Sequence, residues 1–171
     1  ATAVYTQLAS DLAIAETNLP ISYSASDRGR ATKGAAATLL AKVQLTLGNK
    51  ANAEATLRRI IANYNYSLLP NFANLWGAAN ENNAESIFEV QFKSGGIGQG
   101  SFLTNEFSPS GDLQTGQGFG RNRPTLALIN AFDAGDLRLS SSLGTSYVNN
   151  AGEVVNQNYG KKQLGSLPTE N

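Results

Sequence analysis

Two aspartates and an arginine lie close together near the end of a predicted helix, at Asp133, Asp136 and Arg138. Most glycoside hydrolases use two carboxylates that flank the scissile bond about 5 to 10 Å apart. Carboxylates that are neighbours in sequence at a helix end more often cap backbone amides and pair with a nearby Arg. We therefore predict a structural role for this cluster and no catalytic residue in the chain.

A glycine-rich phrase, GGIGQG at 95–100, has the composition of a loop that holds a phosphate. Phosphate-binding loops of this kind lie between a strand and a helix, and their glycines have a fixed spacing. Here a strand is predicted before the phrase, but no helix is predicted directly after it, and the Gly-Lys-Ser/Thr sequence of a P-loop is missing. We interpret the phrase as a flexible loop.

The surrounding loop, 93–123, is the better candidate for a binding site. Sugars pack their C–H faces on aromatic rings, with Asn, Asp, Gln and Arg as hydrogen-bond partners. The candidate ligand-binding residues are Phe102, Asn105, Phe107, Asp112, Phe119 and Arg121. Internal packing or contact with a partner protein explains the same residues equally well. Trp76 lies in an apolar phrase and is predicted to pack in the core.

Composition excludes several classes of function. The 171 residues include 13 basic and 13 acidic side chains, which argues against a nucleic-acid-binding face or a polybasic membrane surface. Cysteine and histidine are absent, which excludes cysteine nucleophiles, histidine-based triads and the usual transition-metal sites. We predict no cofactor. No apolar run reaches the roughly 18 residues of a membrane-spanning helix.

Apolar residues at steps of three and four predict helices over 3–19, 31–47 and 50–64. Pro20 ends the first helix, and Gly48 ends the second. The residues predicted to face inward are Tyr5, Leu8, Leu12, Ala15 and Leu19 in the first helix, Ala36, Leu40, Val43 and Leu47 in the second, and Ala53, Leu57, Ile60, Ile61 and Tyr64 in the third.

The second helix carries an additional stripe of small residues, at Gly34, Ala35, Thr38 and Ala41. Small side chains let a neighbouring backbone approach, so this helix is predicted to pack between two others. The spacing over 34–67 follows a degenerate tetratricopeptide pattern, with Ala37, Leu40, Ala41, Gln44, Ala53 and Leu57 at its positions. One such repeat cannot bury its faces alone and needs packing partners.

The rest of the chain is less regular. ESIFEVQF, at 85–92, alternates as a half-buried strand does. PTLALINAF, from Pro124, predicts a short helix, and SYVNNAGEVV, at 146–155, predicts a hairpin with its turn at NNAG.

Phrases along the chain resemble, in order and spacing, the SusD/RagB family over roughly residues 8 to 140. They are DLAIAETNLP, GRATKGAAATLLAKVQLTLGNKANAEATL, YSLLPNFANLW, AESIFEVQF and PTLALINAFDAGDLRL. The sequence departs from the family at Lys50, where an aromatic residue is frequent, and at Leu137, where proline is favoured. Family members are surface lipoproteins of Bacteroidetes and run to several hundred residues. The resemblance therefore implies an internal fragment, whose lipid anchor belongs to a segment absent from this chain.

The fold that we predict is mainly α with minor β. Residues 1–67 form tetratricopeptide-like helices, and 68–171 form a loop-rich SusD-like region with short strands and one short helix, in one continuous domain. The resemblance implies non-catalytic binding of a nutrient, an oligosaccharide or polysaccharide, at the outer-membrane surface, and delivery to a TonB-dependent (SusC-like) transporter. The alternative is a helical-repeat scaffold that binds a protein partner and no sugar.

Overall fold

The computed structural model describes residues 2–93, 98–111, 118–162 and 164. The chain separates into two compact units. Unit 1 comprises Ala1–Leu68 and Ala84–Gln91, and unit 2 comprises Leu69–Asn83 and Phe92–Asn171.

Unit 1 contains the three predicted helices, α1 (Thr2–Asn18), α2 (Lys33–Thr46) and α3 (Lys50–Asn63). Their bounds differ from the predicted ones by one or two residues. Thr32 begins α2, where its side-chain oxygen accepts a hydrogen bond from the backbone N–H of Ala35 at 3.2 Å. Gly48 has a φ of 77° in the turn that separates α2 from α3, a conformation that glycine adopts without strain.

The prediction that α2 packs between two neighbours is confirmed, because α2 contacts both α1 and α3. Its buried residues include members of both predicted stripes, and they are Gly34, Ala36, Ala37, Leu40, Ala41 and Val43. Gly34 shows why one position must be small. A Cβ added there would overlap the ring of Tyr66, so the tyrosine can lie on the helix only because the side chain is missing.

Four of the predicted inward residues are wrong. Leu57 and Ile61 of α3 are 41% and 80% exposed, and the buried side of that helix is formed by Ala53, Thr56 and Ile60. Helix α3 packs on α2 through one face only. Leu57 and Ile61 lie on other faces of α3, where no helix that the structure describes covers them. Leu8 and Leu47 are also exposed, at 39% each.

The predicted strand at 85–92 is also wrong. The segment contains no β-strand, and its predicted apolar side, Phe88, Val90 and Phe92, is more than half exposed. Alternation predicts a half-buried strand only where a second strand provides backbone partners and a layer of side chains. The described part of the chain provides no such neighbour for this segment.

Unit 2 is built from short elements. Two 3₁₀ turns (Phe72–Leu75 and Ala78–Asn80) are followed by the helices α4 (Leu103–Phe107), α5 (Leu126–Asn130) and α6 (Leu137–Ser142). The strands β1 (Leu143–Val148) and β2 (Val154–Gly160) then form an antiparallel hairpin.

The structure confirms the helix predicted from Pro124, as α5, and the hairpin around NNAG. In the hairpin, Tyr147 pairs with Val155 and Val148 with Val154. Two short helices, α4 and α6, were not predicted, because neither has a proline near its start like the Pro124 that indicated α5. The mainly helical class with a small antiparallel sheet is confirmed. No helix among the described residues is both long and apolar enough to cross a membrane.

Candidate functional site

The loop predicted to bind ligand is partly ordered by its own backbone. The N–H of Phe119 donates to the carbonyl oxygen of Asn105 at 2.8 Å, and the N–H of Gly120 donates to that of Ser108 at 2.9 Å. These bonds hold segment 118–121 beside α4. Residues that are far apart in the sequence are thus brought together, and we call them the loop site: Asn105, Glu106, Phe119 and Arg121.

A glycine makes this close approach possible. Gly118 is buried, and a Cβ added to it would overlap the carbonyl group of Pro109 and lie 2.8 Å from the Cβ of Ser108. Ser108 and Pro109 are themselves fully buried beneath the loop. The segment therefore has a specific packing at this point, although the sequence reads as an irregular Gly-rich loop.

The hairpin anchors the start of the same loop. The hydroxyl of Tyr147 donates to the carbonyl oxygen of Ser110 at 3.0 Å. The N–H of Asn150, in the hairpin turn, donates to the carbonyl oxygen of Gly111 at 2.8 Å. The loop site is therefore supported by regular secondary structure.

An aromatic ring and an ion pair lie side by side in the loop site. The Arg121 Nη1 donates to both carboxylate oxygens of Glu106, at 3.1 and 3.3 Å. The guanidinium carbon of Arg121 lies 5.0 Å from the centroid of the Phe119 ring, within the range of a cation–π interaction. Phe119 is 48% exposed, so part of its ring remains open to a ligand.

The structure places the six predicted residues as follows. Asn105, Phe119 and Arg121 are brought together, Asn105 through its backbone carbonyl. Phe102 directly precedes α4 and is 76% exposed, and Phe107 is half-buried at the end of α4. Asp112 lies outside the described residues. Their role in ligand binding stays a prediction.

Glu106 was missed by the sequence analysis. Glu106 forms an ion pair with Arg121, which lies fifteen residues later in the sequence, and no local pattern connects the two residues. The available signal was the presence of one acid between the candidate residues Asn105 and Phe107, which by itself does not predict a pairing.

Of the two carboxylates near the start of α6, Asp136 has the structural role that we predicted, whereas the Asp133 carboxylate accepts no hydrogen bond from the described residues. Asp136 accepts a hydrogen bond from the backbone N–H of Arg138 at 2.9 Å and caps the helix. The guanidinium of Arg138 binds the same carboxylate, and these hydrogen bonds lower the pKa of Asp136 to about 2. The carboxylate of Asp136 is therefore engaged by the helix N-terminus and by Arg138.

In unit 1, an ion pair connects α1 to α3. The guanidinium of Arg59 donates to the two carboxylate oxygens of Glu16 at 2.9 and 2.8 Å, and the Tyr64 hydroxyl donates to the same carboxylate at 2.9 Å. The hydrogen bonds from Arg59, against the opposing effect of burial, lower the pKa of Glu16. These contacts join α1 to α3, and we assign no ligand to this cluster.

Trp76 contacts Phe72 within unit 2 but is only half-buried, so its predicted place in the core is not confirmed. Its ring lies edge-to-face on Phe72, with centroids 5.6 Å apart, and the ammonium group of Lys162 lies 4.8 Å from its centroid. The ring is half-buried.

Helices that pack through small residues, together with a loop-rich unit, define a mainly helical protein of the tetratricopeptide-like class. No family model matches the sequence. A SusD-like protein of Formosa agariphila is 32% identical to the chain over 123 residues, which are 72% of this chain and 23% of that relative.

Solved structures of the same kind superpose on the chain. A laminarin-binding SusD-like protein has a TM-score of 0.82 and 28% identity, over 96% of this chain and 42% of its own. Surface glycan-binding protein A from Bacteroides thetaiotaomicron, in complex with laminarihexaose, has a TM-score of 0.79 and 17% identity, over 98% and 42%. The chain is a homologue of the SusD-like proteins, as its phrases predicted, and it spans less than half of the length of these relatives.

Proposed function

We propose that this chain is part of a cell-surface protein that binds a glycan without cleaving it. A lipid anchor would hold the protein at the outer membrane. It would pass the glycan to a TonB-dependent (SusC-like) transporter. The similarity to proteins whose names state glycan and laminarin binding supports the proposal.

The observation that carries the proposal is the arrangement of Phe119, Arg121 and Glu106. A half-exposed aromatic ring offers a face for the C–H groups of a sugar. The neighbouring guanidinium has a fixed position, because Glu106 accepts from its Nη1. None of its other N–H groups donates to a described residue, so they can donate to sugar hydroxyl groups. The Arg121 side chain is 64% exposed, which gives a ligand access to them.

Laminarin is the ligand class that we propose to test first. Among the solved relatives, the laminarin-binding protein combines a TM-score of 0.82 with 28% identity, and laminarihexaose is bound in another structure of the same fold. Laminarihexaose is therefore the appropriate probe for calorimetric titration with this chain and with the longer protein that contains it.

The decisive comparison is between two exposed phenylalanines. We expect Phe119→Ala to weaken laminarihexaose binding about tenfold, because the stacking face is lost. Phe88→Ala is the matched control, since Phe88 is exposed to a similar degree, 51% against 48%, but belongs to unit 1. Equal affinities of both variants and the parent would remove the loop site from the proposal. No binding of laminarihexaose or of any other oligosaccharide, by the chain or by the longer protein, would overturn the function.

A non-catalytic role is tested by incubation with laminarin. We expect no reducing sugar to be released. If reducing sugar is released by the parent chain but not by Asp133→Asn, the protein is a glycosidase and the proposal of non-catalytic binding is wrong.

One observation favours the second candidate, a scaffold that binds another protein. Unit 1 has an open groove of about 500 Å³ between α1, α2 and the segment around Phe88. Its lining is almost entirely apolar and includes Leu12, Ala15, Leu19, Leu39, Ile87 and Phe88. Exposed apolar patches of this kind often mark protein contacts. Failure to bind any oligosaccharide, together with loss of partner binding in Leu39→Glu, would favour this alternative.

A further inference from the structure

Unit 2 contains a cavity that shares no residue with the loop site. Its volume is about 370 Å³, and both apolar and charged side chains line it. The residues that matter are Phe72, Phe132, Asp133, Asp136, Arg138 and Lys162. Pockets for small molecules measure roughly 300–1,000 Å³, so this cavity has the size for a single ring.

Two of the four charged side chains that line the cavity, Asp136 and Arg138, form an ion pair with each other. The Nε of Arg138 donates to both oxygens of Asp136, at 2.9 and 3.0 Å. Lys162 is held differently, with its ammonium group 5.1 Å from the centroid of Phe72 and 4.8 Å from that of Trp76. It forms no ion pair with an acid in the ranges that the structure describes. Its three N–H donors therefore lie at the cavity without a charged acceptor.

Asp133 supplies a negative charge that complements the positive charge of Lys162. Asp133 is exposed and lines the same cavity, and its carboxylate accepts no side-chain hydrogen bond from the described residues. The four formal charges of the cavity cancel. An anion would be attracted by Lys162 and repelled by Asp133, and a cation would meet the opposite pair of effects. A neutral polyol suits both groups, since a hydroxyl can donate to the carboxylate and accept from the ammonium group.

We propose that this cavity is a second carbohydrate site, which holds one neutral sugar ring. Hydroxyl groups of the ring would donate to Asp133 and accept from Lys162, and its C–H groups would pack on Phe72 and Phe132. The choice of a sugar rests on the proposed function, while the size and polarity of the site rest on the cavity itself. Two sites on one unit raise the apparent affinity for a polysaccharide that reaches both.

Trp76 provides a direct reporter. It is the only tryptophan in the chain, and it touches two residues that line the cavity, Phe72 and Lys162. Titration with methyl β-D-glucoside is expected to change its fluorescence saturably. The same titration with D-glucuronate and with D-glucosamine, at equal concentrations, is expected to give weaker responses. The response to the glucoside should survive Phe119→Ala, because that residue belongs to the loop site.

Substitutions at the two unpaired groups complete the test. Asp133→Asn and Lys162→Met are each expected to weaken glucoside binding about tenfold by calorimetry, since each removes a hydrogen bond to a charged group. Glu81→Gln is the control, because it removes an exposed charge elsewhere in unit 2. Calorimetry is needed for Lys162→Met, as this change alters the surroundings of Trp76 itself.

Three outcomes would overturn the inference: no saturable response to the glucoside, unchanged affinity in both variants, or tighter binding of glucuronate than of the glucoside. The two proposals can fail separately. If laminarihexaose binding depends on Phe119 but the fluorescence of Trp76 does not change, only the second site is contradicted. A glucoside response without any effect of Phe119→Ala on laminarihexaose would sink only the loop site.

Discussion

Glu16 and Arg59 form a two-bond ion pair between α1 and α3, at N–O distances of 2.9 and 2.8 Å. The carboxylate side chain is 12% exposed and the guanidinium side chain 42%. The pair therefore joins α1 to α3 directly.

Removal of this pair should destabilise unit 1. We expect Glu16→Gln to lower the free energy of unfolding by about 1 kcal/mol at pH 7, a value already reduced for the partial exposure of Arg59. Urea denaturation measures the change. Glu54→Gln is the control, because Glu54 and Arg58 are both largely exposed, at 63% and 77%. An equal loss in both variants would contradict the special role of the Glu16 pair.

The same pair predicts a pH dependence. The pKa of Glu16 is lowered in the folded chain, so its contribution is complete above the unfolded value of 4.5 and is lost as the pH falls through the folded pKa. The difference in stability between the parent and Glu16→Gln should therefore shrink as the pH falls below 4.5. A difference that stays constant down to pH values of about 2 would show that the charge is not its cause.

Two adjacent isoleucines in α3 should behave differently. Ile60 is 5% exposed and Ile61 is 80% exposed. We expect Ile60→Ala to cost about 3 kcal/mol of stability through lost burial and an unfilled cavity, and Ile61→Ala to cost less than about 0.5 kcal/mol. Equal costs in chemical denaturation would mean that Ile61 is covered in solution.

The loop site should depend on Gly118. An added methyl group would overlap the carbonyl group of Pro109, so we expect Gly118→Ala to displace the segment that carries Phe119 and to destabilise the fold by about 2 kcal/mol. Gly100→Ala is the matched control, because its added methyl group would meet no atom within 4 Å. Thermal unfolding and amide chemical shifts of Phe119 report the two effects. Unchanged shifts in Gly118→Ala would argue against the close approach.

Asp136 should titrate far below an ordinary aspartate. The hydrogen bonds of Arg138 set its pKa at about 2, against a usual value of 3.8. Carboxyl ¹³C chemical shifts followed against pH measure this value directly. In Arg138→Met the midpoint should rise toward 3.8, because the side-chain donors are gone while the backbone donor remains. A midpoint near 3.8 in the parent chain would contradict the pairing.

Local sequence patterns determined the helices of unit 1. The steps of three and four in α1, α2 and α3 follow from the helical repeat itself, which needs no distant residue. The small-residue stripe of α2 also predicted close neighbours, because small side chains at Gly34 and Ala41 let other chain segments approach the helix. The same phrases identified the SusD-like relationship.

Only the tertiary structure decided which apolar residues are covered. Leu57, Ile61 and Phe88 carry the same local signal as buried residues, but burial requires a neighbour, and the sequence does not say where a neighbour lies. The pairings Glu16–Arg59 and Glu106–Arg121 span forty-three and fifteen residues, and they exist because packing brings their backbones together. The periodicity of the chain therefore determined its helices, whereas the faces and charges available for binding were set by contacts between distant segments.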